Sequence, residues 1–179
     1  NPNGTTSQIL DTESLEFIAK ICDANNITMV VDEEYMDFVQ NIDENSAIPL
    51  TSKYENVIVL RNTTKFFSVP GIRLAYMITS NPVLKKTLEI TGLPFAISKP
   101  AEAAGIAMFT DEEYIRQSRE LIHTERNLVY SALATHKSIK LYRPSANFIL
   151  VKLLNKNVSA GEVAEHCLIK GLYIRNCTD

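Results

Sequence analysis

Arg61-Asn62-Thr63-Thr64-Lys65-Phe66-Phe67-Ser68-Val69-Pro70-Gly71-Ile72-Arg73 is the stretch on which the reading of this chain turns. It is a polar, glycine-containing turn between two apolar runs. Val57-Ile58-Val59-Leu60 before it and Ile72 through Ile78 after it each predict a buried strand. Lys65 and Arg73 therefore stand near strand ends. A lysine amine held among aromatic neighbours, with a second fixed cation nearby, suits Schiff-base chemistry. The guanidinium fork of Arg73 suits a phosphate. Taken alone, a lysine is more often a surface residue beside a turn, so residues elsewhere must decide.

Upstream, Ile27-Thr28-Met29-Val30-Val31 is mostly apolar and β-branched, as expected of a strand buried on both faces of a parallel sheet. It delivers Asp32-Glu33-Glu34-Tyr35 to its carboxyl end, the edge at which open α/β sheets bind ligands. An apolar run ending in Asp-Glu also suits a nucleotide-hydrolysing strand, but the Gly-rich phosphate loop such a protein needs is not in these residues. Glu33 and Glu34 read as a solvated strand end. The helix before this strand is capped by Asp11, shows Leu15, Ile18, Ala19 and Cys22 on one face, and stops at Asn25-Asn26.

Downstream, Asn81-Pro82 predicts a helix start and Gly92-Leu93-Pro94 its break. A small-residue helix follows, roughly 100–109. Thr110 and Glu113 form a capping-box pattern that opens the longest helix. Its stripe is Tyr114, Ile115, Leu121, Ile122, Leu128, Val129, Ala132 and Leu133, with Arg116, Arg119, Glu120 and Arg126 largely off it as solvated charges. Strands at Lys140–Tyr142 and Phe148–Leu153, a helix opened by Ser159 and Glu162, a Gly171 cap and a last strand Leu172–Arg175 complete a separate small α/β unit.

The 179 residues are 45% hydrophobic and 22% charged, enough for one substantial core or two small ones. A net charge of -3 argues against a nucleic-acid footprint. Cys22, Cys167 and Cys177 have no paired metal-ligand spacing, Cys22 and Cys167 lie on apolar helix faces as core residues, and a reducing cytoplasmic setting is the simplest context. No apolar run reaches membrane-spanning length, so no membrane partner is expected. His123, His136 and His166 are scattered, and no metal site is expected. The chain opens without methionine and stops directly after an apparent strand, which points to a fragment.

Lys65 followed eight positions later by Arg73, with Pro70-Gly71 ahead of it, resembles the cofactor-lysine motif of fold-type I pyridoxal 5'-phosphate (PLP) enzymes. Thr64 through Arg73 is most similar to the branch of histidinol-phosphate aminotransferases and threonine-phosphate decarboxylases. Asp32 and Tyr35 match that family's cofactor-contacting Asp-x-x-Tyr pair. The aspartate would pair with the ring nitrogen and the tyrosine with the ring hydroxyl. Asn62 and Thr64 bracket the family's phosphate-contacting hydroxyls. Asn1-Pro2-Asn3 opens like its Asn-Pro-Asn-Asn-Pro-Thr-Gly loop, but Gly4 stands at the cofactor-contacting asparagine, Thr5 at the proline and Ser7 at the glycine, leaving Asn3 as a substitute if the loop shifts. Gly171 through Cys177 resembles the strand whose arginine, here Arg175, faces the substrate.

The resemblance implies an α/β fold. Residues 1–109 would be the later part of a large PLP-binding domain, a mainly parallel sheet with flanking helices. Residues 110–179 would be a long connecting helix and most of a small C-terminal domain. It implies a PLP-dependent aminotransferase with Lys65 as the catalytic Schiff-base lysine, an amino substrate and a 2-oxo acid acceptor, and a homodimer at full length. Decarboxylation of an amino-acid phosphate is the alternative. Two further readings, a transcription regulator's aminotransferase-like sensing domain and a nucleotide-binding ATPase, each require a domain or loop upstream.

Overall fold

Helix α1 (Thr12–Ala24) starts where its cap predicts. The Asp11 carboxylate accepts the Ser14 backbone N–H at 2.7 Å, filling a donor that a helix start leaves open. Leu15 and Ala19, four positions apart, are its buried residues and seat it on a sheet. The computed structural model describes residues 1–178.

That sheet has the order β1 (Met29–Asp32), β2 (Val57–Asn62), β3 (Ala75–Ile78). β1 and β2 are parallel, with Val31 opposite Val59 and Asp32 opposite Leu60; β3 is antiparallel to β2. An antiparallel strand on an otherwise parallel sheet is common in α/β folds. Strand alternation divides the two faces. Val31, Val57 and Val59 are buried with Leu15, Ala19, Ala47 and Leu50, whereas Val30 and Leu60 on the other face are 55% and 37% exposed. The crossover from β1 to β2 carries short α2 (Ile42–Asn45) and two 3-10 turns, Met36–Phe38 and Ile48–Ser52.

The strand expected from Ile72 begins three residues later. Pro70–Ile72 forms a 3-10 turn and Arg73 takes a left-handed conformation, φ 55°. Thr63 closes this loop by donating both its N–H (3.1 Å) and its hydroxyl (3.2 Å) to the Leu74 carbonyl, so pairing resumes at Asn62 opposite Ala75.

Helix α3 (Pro82–Thr91) is capped by Asn81, and α4 (Lys99–Thr110) by Ser98. Helix α5 (Glu112–Ala134) corrects the capping-box expectation. Asp111 accepts the Tyr114 N–H at 2.9 Å, while Thr110 ends α4 with its hydroxyl on the Ile106 carbonyl. A carboxylate at the cap also complements the helix dipole, which a threonine hydroxyl does not. The inward face of α5 differs too. Ile115, Arg119, Ile122, His123 and Arg126 are half-buried, whereas Leu121 and Leu128 are 59% and 64% exposed. Arg119 donates to the Asp37 carbonyl at 2.9 Å; Arg126 donates to those of Ser145 and Ala146 at 2.5 and 2.9 Å. Of the four charges expected in solvent, these two thus serve carbonyls of packed segments, while Arg116 and Glu120 stay exposed and pair with each other at 3.0 Å.

β4 (Ile139–Leu141) and β5 (Val151–Leu153) form a separate antiparallel pair, β4 one residue earlier than predicted and β5 three residues shorter. Helix α6 (Ala160–Ile169) has the predicted capping box, Ser159 and Glu162 bonding reciprocally. It ends in Gly171, φ 78°, with Gly171 N–H on Leu168 and Leu172 N–H on Cys167, both at 2.9 Å. Leu172–Arg175 is irregular rather than a strand, with Tyr173 85% exposed. An apolar run supplies strand propensity, but only a neighbour's free edge makes a strand. Cys22 and Cys167 are half-buried, not core. No helix among the described residues is long and apolar enough to cross a membrane.

Candidate active site

The ends of β1 and β2 bring Lys65 and Tyr35 together. Phe66 and Phe67, 3% and 8% exposed, turn into an aromatic cluster with Phe38, and Tyr114 donates its hydroxyl to the Phe66 carbonyl at 3.3 Å. Phe66 meets Phe38 edge-on at 5.2 Å between centroids, and Phe67 stacks on Tyr114 at 5.7 Å. With both phenylalanines anchored below, Lys65 is left exposed, its Nζ 6.0 Å from the centre of the Tyr35 ring. Tyr35 is half-buried and meets Phe148, from the segment between β4 and β5, edge-on at 5.2 Å.

Asp32 ends β1 on the exposed face, its Oδ1 accepting the Glu34 N–H at 2.9 Å. The Asn62 side chain donates to Glu34 at 3.1 Å and accepts the Thr64 N–H at 2.9 Å. Arg73 is exposed and makes no side-chain hydrogen bond or ion pair among the described residues. Asn3 organises its own loop, its Oδ1 accepting the N–H groups of Thr5 (3.0 Å) and Thr6 (2.8 Å). That loop places Gly4 where an added Cβ would lie 3.9 Å from the Tyr35 ring. Arg175 lies on the exposed tail after α6 and bonds to none of the other candidates.

Two groups of residues beneath this surface escaped the sequence reading. Glu33, expected in solvent, is 1% exposed, and Glu34 is half-buried. The Glu33 carboxylate accepts Ala47 N–H at 2.6 Å, Ser46 hydroxyl at 3.0 Å, and Arg61 Nε and Nη2 at 3.0 and 2.7 Å. Arg61 also lies 3.7 Å from Asp37, which Arg119 approaches at 3.7 Å. Burial pushes the Asp37 carboxyl up, only partly countered by the two guanidinium groups. Burial works against the Arg61 charge, but the bonds and field of Glu33 outweigh it and hold it above the usual guanidinium range. No sequence signal marks this pair; the β1–β2 register does, Asp32 opposite Leu60 making Glu33 and Arg61 the next facing positions.

The second group centres on Ser7, fully buried at φ 60°. Its hydroxyl accepts the N–H groups of Ser145 (3.0 Å) and Ala146 (2.7 Å). Arg126 holds the carbonyls of the same two residues, and burial without a carboxylate partner pulls its pKa down. The loop after Asn1 is thereby tied to the segment that carries Phe148.

A solved structure of histidinol-phosphate aminotransferase from Clostridium acetobutylicum superposes with a TM-score of 0.91 at 28% identity, over all of this chain and 53% of that one. A histidinol-phosphate aminotransferase of Clostridium kluyveri is 35% identical over 176 residues, 98% of this chain and 47% of its own length. A provisionally named threonine-phosphate decarboxylase of Caldanaerobacter subterraneus subsp. tengcongensis is 35% identical over 179 residues, 100% of this chain and 48% of its own. The chain spans about half the length of the curated relatives it matches. The family model for aminotransferase class I and II spans residues 1–179. The architecture, the Lys65 turn and these similarities converge: the chain belongs to the aminotransferase class I and II family.

Proposed function

We propose that the chain carries part of the active site of a PLP-dependent aminotransferase in which Lys65 is the cofactor's covalent anchor. The observation that carries this reading is an exposed amine on a rigid aromatic floor, 6.0 Å from the Tyr35 ring. The donor set fits the cofactor: an exposed lysine, a strand-end carboxylate and an arginine with no partner among the described residues. When bound, PLP supplies an electron sink for charge developing at the substrate carbon. Lys65 Nζ takes and returns a proton at that carbon. Asp32 holds the proton of the ring nitrogen, and the Tyr35 hydroxyl donates to the ring oxygen. Arg73 and the Thr64 hydroxyl hold the phosphate. Asn62 contributes there through its second amide N–H, its other contacts being spent on Glu34 and Thr64. Asn3 keeps only its amide N–H groups for the ring oxygen. Arg175 takes an anionic group of the substrate.

The division at residues 109 and 110 belongs to the same proposal, supported by two separate sheets with α5 between them. So do an amino donor, a 2-oxo acid acceptor, a homodimer at full length and a cytosolic setting. The 35% identity to the Caldanaerobacter protein favours decarboxylation of an amino-acid phosphate as the second reading. The test is borohydride reduction of the full-length protein with PLP, followed by peptide mapping. A pyridoxyl adduct on Lys65, absent from Lys65→Ala, is expected, and an adduct that persists in the variant refutes the assignment. Amino-donor turnover and carbon dioxide release then separate the two reactions.

A further inference from the structure

Two consecutive residues just past β1 grip the last two residues of β2. Glu33 takes both Arg61 Nε and Nη2, at 3.0 and 2.7 Å, and Glu34 takes the Asn62 amide at 3.1 Å. The first pair is deeply placed, with Glu33 side chain 0% and Arg61 side chain 10% exposed. Ser46 hydroxyl and Ala47 N–H fill the remaining acceptor sites of Glu33. Arg61 extends the link to Asp37, whose carbonyl and carboxylate also meet Arg119 of α5. One strand end carries Asp32 and Tyr35, the other carries Lys65 four residues beyond Arg61. A buried ion pair is a poor source of net stability, because desolvation consumes most of its attraction. Its bidentate geometry, however, fixes distance and orientation in a way an apolar contact does not.

We infer that the Glu33–Arg61 pair is a positioning device that sets the distance between Lys65 and the Asp32–Tyr35 strand end. This rests on the Lys65 reading above and extends it to residues that touch neither cofactor nor substrate. Glu33→Gln keeps the shape but not the charge. Arg61→Lys keeps the charge but not the fork.

The experiment uses the full-length protein, PLP as probe, and the rate of borohydride-trappable addition at Lys65. Leu15→Ala, a cavity under α1, serves as a control for lost stability that leaves the pair intact. A misplacement of about 1 Å lowers a positioned reaction roughly 100-fold, so Glu33→Gln slows trapping about 10- to 100-fold, with Arg61→Lys between it and the parent. Trapping in Glu33→Gln no slower than in Leu15→Ala overturns the inference and leaves Lys65 in place. If Glu33→Gln does not fold, Arg61→Lys decides by the same comparison. An adduct that survives in Lys65→Ala overturns both readings.

Discussion

Ser7 separates two opposing energies at one buried position. Its backbone is left-handed, φ 60°, which costs a side-chain-bearing residue roughly 1–2 kcal/mol. Its hydroxyl is the acceptor for Ala146 N–H at 2.7 Å and shares Ser145 N–H with its own carbonyl. Ser7→Ala removes the acceptor and keeps the strain. The Ala146 N–H is then left buried and unsatisfied, a loss of about 1–3 kcal/mol. Ser7→Gly loses the same acceptor but relieves the backbone, recovering about 1 kcal/mol. The expected order of stability is therefore Ser, then Gly, then Ala, with Gly above Ala by roughly 1 kcal/mol. Urea unfolding of the three proteins, compared at midpoint with slopes checked for constancy, measures both gaps. Glycine more stable than serine would mean that the hydroxyl contributes less than the roughly 1 kcal/mol of backbone strain that glycine relieves. Alanine equal to glycine would mean that the left-handed backbone is not strained, and either result refutes the account.

Further outcomes concern the helix ends and acid stability. Asp11 is held below its ordinary pKa of 3.8, first by the Ser14 backbone N–H and then by its hydroxyl. A lowered folded-state pKa contributes stability that is present above the unfolded value and lost as pH falls through the folded one. The stability advantage over Asp11→Asn, followed by thermal melts, is accordingly expected in full at neutral pH and fades as pH falls from about 4 through the lower folded-state value. Gly171→Ala meets no atom within 4 Å but must adopt φ 78°, so it costs roughly 1 kcal/mol through backbone alone, read as a lower melting temperature.

Much of the architecture was legible because it is local. β-Branched runs marked β1 and β2, side-chain acceptors marked the starts of α1 and α6, and a glycine marked the end of α6. Each rests on contacts within a few residues, where residue type nearly decides the outcome. The Lys65 turn was legible for the same reason: aromatic residues after the lysine had to go inside, leaving the amine outside. The limits were equally physical. Thr110 and Asp111 were adjacent competitors for one cap, and Leu172–Arg175 had strand propensity without a strand to join.

By itself, then, the sequence determined the longer helices and the strands β1 and β2, the polar turn bearing Lys65 and Arg73, and the acidic edge at Asp32. Tertiary structure alone decided which charges are interior. Glu33 reaches Arg61 across 28 positions, Arg119 reaches Asp37 across 82, and Ser7 reaches Ala146 across 139. Periodicity sorts residues by hydrophobicity and so sends charges to solvent. A charge can stay inside only when the fold brings it a partner, and such partners are set by strand register and helix docking, which no local pattern encodes.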